Sequence, residues 1–525
     1  MDIKYFPLVL VLCWLTACKK ANTTPPIVSP PVVTPGAVSI PIDPATDASI
    51  DFFMNNWVPK NFTVPATTTD KPAPTEPAEV TVTVNTGQVV TKIAPTYFGN
   101  NTNPYISQIG TDGILVNHIN NLAPRIIRAP GGSLSDIYFF NAPKDVPPAD
   151  APDTLLDGAG AKYRNYYWFG KNTESWTQSI DNYYSLLQGT NSKGIITVNY
   201  AYARYGSSTN PVAAAAHLAA DWVRYDNKRT QYWEIGNESA GNWEAGYRID
   251  VSKNKDGQPE YISGNLYGKH FKVFADSMRN AALEIGATIY IGAQLIQTAT
   301  TSNTIDQNWN SGYFAQAANT ADFYIVHDYF TPYNQNSNAA DIMTTAATET
   351  QSVMNWMRTT TSNGGVAMKP IAMTEWNIFA SGSKQNVSHI AGMHAVLSLG
   401  GLIANKFGAA MRWDLANGWS NGDDHGLFNV GDETGVAKWN PRPAFYHMYY
   451  FQQYTGDRLL ASTIAGTSDI VAIASSFTSG QKGVVLVNKG TQPKVVAVNF
   501  NYFTPNTKFY FYTLTGGTDN GEFSR

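Results

Sequence analysis

Charged side chains are scarce in this 525-residue sequence: Asp, Glu, Lys and Arg together make up 14%, where soluble domains average about a quarter. With a net charge of -4 there is no basic excess to track phosphates, and nucleic acid is excluded as a partner. Cysteine is scarcer still, at two residues, Cys13 and Cys18. Both lie near the N-terminus, so the body of the chain offers no disulfide, no thiol nucleophile and no cysteine-based metal site. No Gly-rich dinucleotide fingerprint or P-loop accompanies any apolar run, which removes the nucleotide-binding folds. Aromatics, by contrast, reach 13%, with 13 Trp and 29 Tyr. Polarity rests on Asn, Thr, Ser and Gly, a composition suited to neutral, hydroxyl-rich ligands.

The N-terminus, MDIKYFPLVLVLCWLTACKK, has a basic start at Lys4 and an apolar run over 5–15. The run is too short for a permanent membrane span and has the flanks of a signal peptide. Leu15-Thr16-Ala17-Cys18 resembles a bacterial lipobox, which implies lipidation of Cys18 and an exported lipoprotein at the outer membrane or cell surface, held by its lipid anchor alone. From 21 to 77 the chain is rich in Thr, Pro and Ala and holds twelve of the 29 prolines, reading as an extended tether. Phe52, Phe53, Trp57 and Phe62 interrupt it and are expected to dock on the folded part.

Beyond Glu79 a repeated order of short apolar strand and longer helical segment begins. Strands are expected at 96–100, 125–129, 194–199, 232–236, 288–293, 323–327, 371–375 and 409–414, with helical intervals such as PVAAAAHLAADWVRY and GKHFKVFADSMRNAALEIG between them. Eight such units fit an α/β fold, the (β/α)8 TIM barrel. From Arg442 the runs DIVAIASSF, KGVVLVNK, PKVVAVNF and TKFYFYTL alternate and are separated by turns, predicting an accessory antiparallel β-sandwich, open to truncation because it has few strands. EVTVTVN is expected to join it rather than remain an unpaired edge. The organisation is thus 1–17 signal, 18–77 tether, 78–94 strand of the β domain, 95–441 barrel and 442–525 β-sandwich.

Barrel chemistry sits at the C-terminal ends of strands. Strand four ends in Trp233-Glu234-Ile235-Gly236-Asn237-Glu238 and strand seven in Met373-Thr374-Glu375-Trp376-Asn377, putting Glu238 and Glu375 at one mouth. Two carboxyls there are what cleavage of a glycosidic bond requires, one protonating the leaving oxygen and the other attacking the anomeric carbon. Glu234, two positions before Gly236, faces deeper into the barrel and needs an ion-pair partner.

The Gly236-Asn237-Glu238 and Thr374-Glu375-Trp376 segments resemble those of clan A glycoside hydrolases. Tyr97-Phe98-Gly99-Asn100-Asn101 and Arg128-Ala129-Pro130-Gly131-Gly132 are similar to the first two strand ends of family 51 α-L-arabinofuranosidases and their endoglucanase relatives. The resemblance implies a retaining glycoside hydrolase with Glu238 as acid/base and Glu375 as nucleophile. It further implies that Arg128 keeps Glu375 ionised, that the charge of Glu375 keeps Glu238 protonated, and that Asn237 binds the sugar 2-hydroxyl. His327, closing strand six, is expected to orient Glu375. Trp376, Trp413 and Trp419 are expected as subsite walls, and Asn199 and Asp414 as hydroxyl binders. The loop Asn421-Gly422-Asp423-Asp424-His425-Gly426 lacks the spacing of a calcium loop and reads as solvated chain over the cleft. No cofactor and no metal are expected, and the partner is a plant or algal polysaccharide or oligosaccharide. Arabinofuranosidase activity, endo-acting cleavage of xylan, glucan or galactan, and non-catalytic glycan binding all stay open.

Overall fold

Eight parallel strands close into a barrel in the computed structural model, which describes residues 10–12, 41–382, 384–419, 424–506, 509–517 and 521–525. They are β1 Gly99–Asn101, β2 Ile126–Ala129, β3 Lys193–Val198, β4 Tyr232–Ile235, β5 Tyr290–Gln294, β6 Phe323–Tyr329, β7 Ile371–Asn377 and β8 Ala409–Arg412. Each neighbours the next in sequence and β8 pairs with β1. The expected strands fall on these eight because a parallel strand covered on both faces must be nearly continuously apolar: Ile126, Ile127, Ile195, Ile196, Ile291, Ile371 and Ala372 are all fully buried.

A helix follows each strand: α1 Gly113–Leu122, α2 Ile180–Thr190, α3 Pro211–Asp226, α4 Gly264–Ile285, α5 Thr304–Ala317, α6 Ala339–Asn363, α7 His389–Ala404 and α8 Pro443–Tyr454. The first seven begin at Asp112, Ser179, Asn210, Ser263, Asn303, Asn338 and Ser388, whose side chains accept from first-turn backbone N–H groups. Such caps satisfy donors that a helix start otherwise leaves open. Among the described residues no helix is long and apolar enough to cross a membrane.

The barrel unit comprises Asp47–Trp57, Ala94–Gln452 and Gly517–Arg525. Two boundaries depart from the sequence reading. The aromatic island docks on the folded part, as expected, but as a segment of the barrel unit: Phe52 stacks on Tyr290 with ring centroids 3.9 Å apart, and Phe53 on Tyr232 at 5.1 Å. Tyr232, Tyr290 and Phe323, which these rings touch, are the first residues of β4, β5 and β6, so 47–57 covers the end of the barrel opposite the strand C-termini and is not tether. The barrel also runs on past 441, because α8 packs its Phe445 and Phe451 into the unit.

The second unit comprises 10–12, 41–46, Val58–Ile93 and Gln453–Gly516 of the chain described. Its strands form a single sheet in the order Leu10–Leu12, Val495–Asn501, Val80–Lys92, Arg458–Ala465, Ile470–Ser476, Lys482–Asn488. Three of its pairings are antiparallel, whereas Val80–Lys92 runs parallel to Val495–Asn501. Period-two alternation puts Val80, Val82 and Val84 on one buried face with Leu460, Val496 and Val498. Where a two-sheet sandwich was expected, the described residues make this one sheet, and TKFYFYTL holds no strand over 509–514. Irregular chain supplies aromatic packing instead, with Phe62 lying against Phe477 and Tyr510. Residues 58–77 are likewise less free than a tether, since Lys60 donates its backbone N–H to Asp457 at 2.7 Å. Cys13 and Cys18 lie outside the described residues.

Candidate active site

The C-terminal mouth of the barrel is organised by one buried cation. Arg128, at the end of β2, donates Nε to Glu234 (2.5 Å), Nη1 to Glu375 (2.7 Å) and Asn101 (3.1 Å), and Nη2 to Asn237 (2.9 Å). Glu234 is thus the deep ion-pair member expected from its position, and Thr197 of β3 donates to it as well at 2.7 Å. A buried guanidinium is tolerated only with its donors paired; here residues within β4 and β7, at the end of β1 and just past β4 pair them. Tyr329, two residues after His327 on β6, donates its hydroxyl to the other oxygen of Glu375 at 3.0 Å. The pairing register of β6 and β7 shifts around Thr374, setting His327 opposite Glu375, the kind of irregularity that re-aims a side chain at a site.

Glu238 stands differently. The chain leaves β4 through Gly236 at φ +79° and Glu238 itself at φ 37°, a left-handed conformation that a non-glycine residue holds only when its surroundings over-determine it. Gln294, the last residue of β5, supplies that support: its Oε1 accepts from Ser239 N at 2.8 Å and its Nε2 donates to Ile235 O at 2.7 Å. One Glu238 oxygen lies 2.7 Å from His327 Nδ1, and the other accepts from the Trp243 indole at 3.0 Å. The Glu238 side chain keeps 24% of its surface, against 5% for Glu375. A carboxylate oxygen of each glutamate and a His327 nitrogen all lie within 4.8 Å of one another.

The charge states differ from the assignment made on sequence. Burial, the largest influence, pushes the Glu375 carboxyl above its ordinary value against the pull of His327 and Arg128. For Glu238 burial also acts upward, but the hydrogen bond and charge of His327, with the Trp243 bond, outweigh it and hold the group below its ordinary value. His327 rises despite burial, because Glu375 and Glu238 both face it. In the free protein the proton expected on Glu238 therefore belongs to the Glu238–His327 pair, with the imidazole its main holder. His327 Nδ1 is 3.6 Å from Glu375, so it serves Glu238 first.

Other expected residues divide. Asn237 is in the site, its Oδ1 on Arg128 and its Nδ2 on Glu244 at 3.0 Å. Trp413 is half-buried against the Gly131-Gly132 backbone, where a Cβ at Gly132 would lie 2.5 Å from the indole. Trp419 is partly exposed, with the Arg525 and Arg442 guanidinium groups over its ring at 5.3 and 6.0 Å. Trp376 is not a subsite wall: it is fully buried, because neighbours on a strand point to opposite faces and Glu375 takes the interior. Asn199 is not free for a ligand either, since it bonds the Tyr138 carbonyl, the Tyr205 hydroxyl and Tyr202 N. Asp414 accepts from Asn103 and Tyr105, and burial lifts it to about 8. Asp424 and His425 are buried rather than solvated, their carbonyls taken by Arg442 and Arg412.

Sequence reasoning missed Tyr329, Gln294 and Trp243. The first had a signal, because it shares the strand face of His327 two positions away; the other two act from the end of a strand and from a loop. Glu238, His327 and Glu375 have the ligand types for a divalent cation. Any such ion would share Glu375 with the Arg128 guanidinium, so the donor set favours proton transfer and carboxylate nucleophilic attack over metal binding.

No protein-family model matches the chain, and no curated protein matches it in sequence. Solved structures do. A family 51 α-L-arabinofuranosidase from Bifidobacterium longum superposes with a TM-score of 0.58 at 14% identity, over 81% of this chain and 89% of that one. The α-L-arabinofuranosidase from Thermotoga maritima gives 0.54 at 16% identity over 78% and 85%. CelM2, a bifunctional glucanase-xylanase from a metagenome library, gives 0.55 at 12% identity over 82% and 91%. The chain shares their fold, a (β/α)8 barrel with an accessory β domain.

Proposed function

We propose that the chain is a retaining glycoside hydrolase of clan A type, acting on arabinofuranoside-bearing plant or algal polysaccharides or oligosaccharides. The observation that carries this reading is the pair of glutamates facing each other across the barrel mouth with oxygens within 4.8 Å. Retaining enzymes hold their two carboxyl groups about 5–5.5 Å apart, and inverting ones hold them farther apart to admit a water.

In the first step a Glu375 oxygen attacks the anomeric carbon as the bond from that carbon to the leaving oxygen breaks. The leaving oxygen takes a proton from Glu238, which received it from His327 as the bound sugar excluded water from the half-buried carboxyl, so that a carboxylate and a neutral imidazole remain. In the second step Glu238 accepts a proton from water, whose oxygen attacks the anomeric carbon and releases Glu375. Arg128 and Tyr329 hold Glu375 in attacking position and stabilise its charge before and after the covalent intermediate. The remaining Nδ2 hydrogen of Asn237 is available for the sugar 2-hydroxyl.

Endo-acting cleavage of a glycan backbone is the second reading, favoured by the fold shared with CelM2. We also propose that the protein is exported and lipid-anchored through Cys18, on its lipobox-like sequence alone. Screening the purified protein on aryl glycosides and polysaccharides tests the activity: one substrate class should be turned over, and Glu375→Ala should lower kcat by about 10⁴-fold or more while binding persists. Unchanged hydrolysis by Glu375→Ala would sink the assignment.

A further inference from the structure

Beside Glu238 the barrel mouth opens into a solvent-connected cleft of about 220 Å³. It lies on the Glu238 and His327 side, and Glu375 is not among its lining residues. If Glu238 protonates the leaving oxygen, this is where the departing half of the substrate must sit.

The walls of the cleft are built in advance. On one side stands Trp243, 68% exposed yet fixed, because its indole N–H is held by Glu238 and its ring lies on Gly241, where a Cβ would come within 2.5 Å. On the other side runs the segment after β5, with Leu295, Ile296, Gln297 and Thr298. Asn310 of α5 clamps Ile296 by both backbone groups, at 2.8 and 2.9 Å, and Trp356 of α6 donates to the same carbonyl at 2.9 Å. A large aromatic held rigid at the rim of a pre-formed groove presents a flat apolar face, and sugar C–H faces are suited to such a ring.

Charge narrows the occupant further. The cleft contains the carboxyls of Glu238 and Asp306, and no Lys or Arg is among its lining residues. A uronate would meet like charge there without a counter-ion, whereas a neutral sugar meets hydroxyls, an amide and an aromatic face.

We propose that this cleft is the leaving-group subsite of the enzyme, built for an uncharged saccharide, with the Trp243 indole as its stacking surface and as the positioning group of Glu238. The inference rests on the proposed glycosidase reading and deepens it. It implies that the enzyme takes saccharide-linked substrates in preference to glycosides of small alcohols.

The test compares a neutral oligosaccharide with a glycosyl fluoride of the same glycone, whose leaving group needs neither subsite nor proton. Trp243→Ala should lower kcat/KM on the oligosaccharide by about tenfold more than on the fluoride, chiefly through KM. Trp243→Phe should recover most of that KM while kcat stays reduced, since it keeps a ring but loses the N–H. An equal fall on both substrates would overturn the subsite. Calorimetry on Glu375→Ala needs no turnover: neutral oligosaccharides should bind at least about tenfold tighter than oligogalacturonate, and loss of that preference in Trp243→Ala would assign it to this cleft. Equal or tighter binding of the uronide overturns the neutral class. Failure of the wild type to turn over either the fluoride or the oligosaccharide would count against the glycosidase reading, and the calorimetric result would still decide the subsite.

Discussion

Glu375 and Glu238 share one mouth of the barrel, yet its two sides are built on different plans. The Glu375 side is closed: the carboxyl is almost fully buried, paired to Arg128 and bonded by Tyr329, in the middle of a β-strand. The Glu238 side is open: the carboxyl sits past the end of β4 at φ 37°, keeps a quarter of its surface, and borders the cleft. A nucleophile must attack one carbon along one line, which a strand and a buried guanidinium secure. An acid/base must give a proton to a departing group and later accept one from water, which requires solvent access and a reservoir in His327. The difference between the two surroundings therefore supports the proposed roles more than the identity of the residues, which is the same, can do.

That asymmetry can be broken from either side. On the Glu238 side the largest effect should come from Glu238→Ala on natural oligosaccharides, a fall of about 10²–10⁴-fold in kcat/KM, shrinking severalfold or more on 2,4-dinitrophenyl glycosides whose leaving group needs no proton. Equal losses on both substrates would erase the acid role. A smaller effect is expected in the pH profile. The proton held by Glu238 and His327 must be present for the first step, so activity is lost as pH rises through the elevated His327 value. In His327→Gln the carboxyl alone holds the proton, and the alkaline limb should move down by about one unit or more toward the carboxyl range. The acid limb follows protonation of Glu375, which burial sets above its ordinary value; losing the downward pull of His327 should move that limb up, so the active pH range narrows from both sides. A His327→Gln profile superposable on the wild type would remove the shared-proton account.

How much of this was legible in the sequence follows from what each feature depends on. The eight strands were readable because strands covered on both faces need apolar runs, and the two glutamates stood out because charge is scarce at such ends. Glu234 was readable from period-two alternation, and the same rule, applied to Trp376, would have turned that side chain away from the cleft. His327 was found at the right strand end, but its shorter contact, to Glu238, was not foreseen, since the register shift at Thr374 that sets the strand facing has no local sequence mark. Gln294 and Trp243 were invisible for a different reason: they act on Glu238 across 56 and 5 positions of chain, through a strand end and a loop whose paths only folding decides. The extent of the barrel was misjudged at both ends because Phe52, Phe53 and α8 are aromatic segments whose destination depends on which surface has room for them.

The central claim is that Glu375 forms the bond to sugar and Glu238 moves the protons. The most direct measurement is mass spectrometry of the protein after reaction with an activated 2-deoxy-2-fluoro glycoside of its preferred glycone, followed by peptide mapping. The account predicts one glycosyl group per chain, attached to the peptide that contains Glu375. A label on Glu238, or inactivation with no covalent adduct, would contradict it.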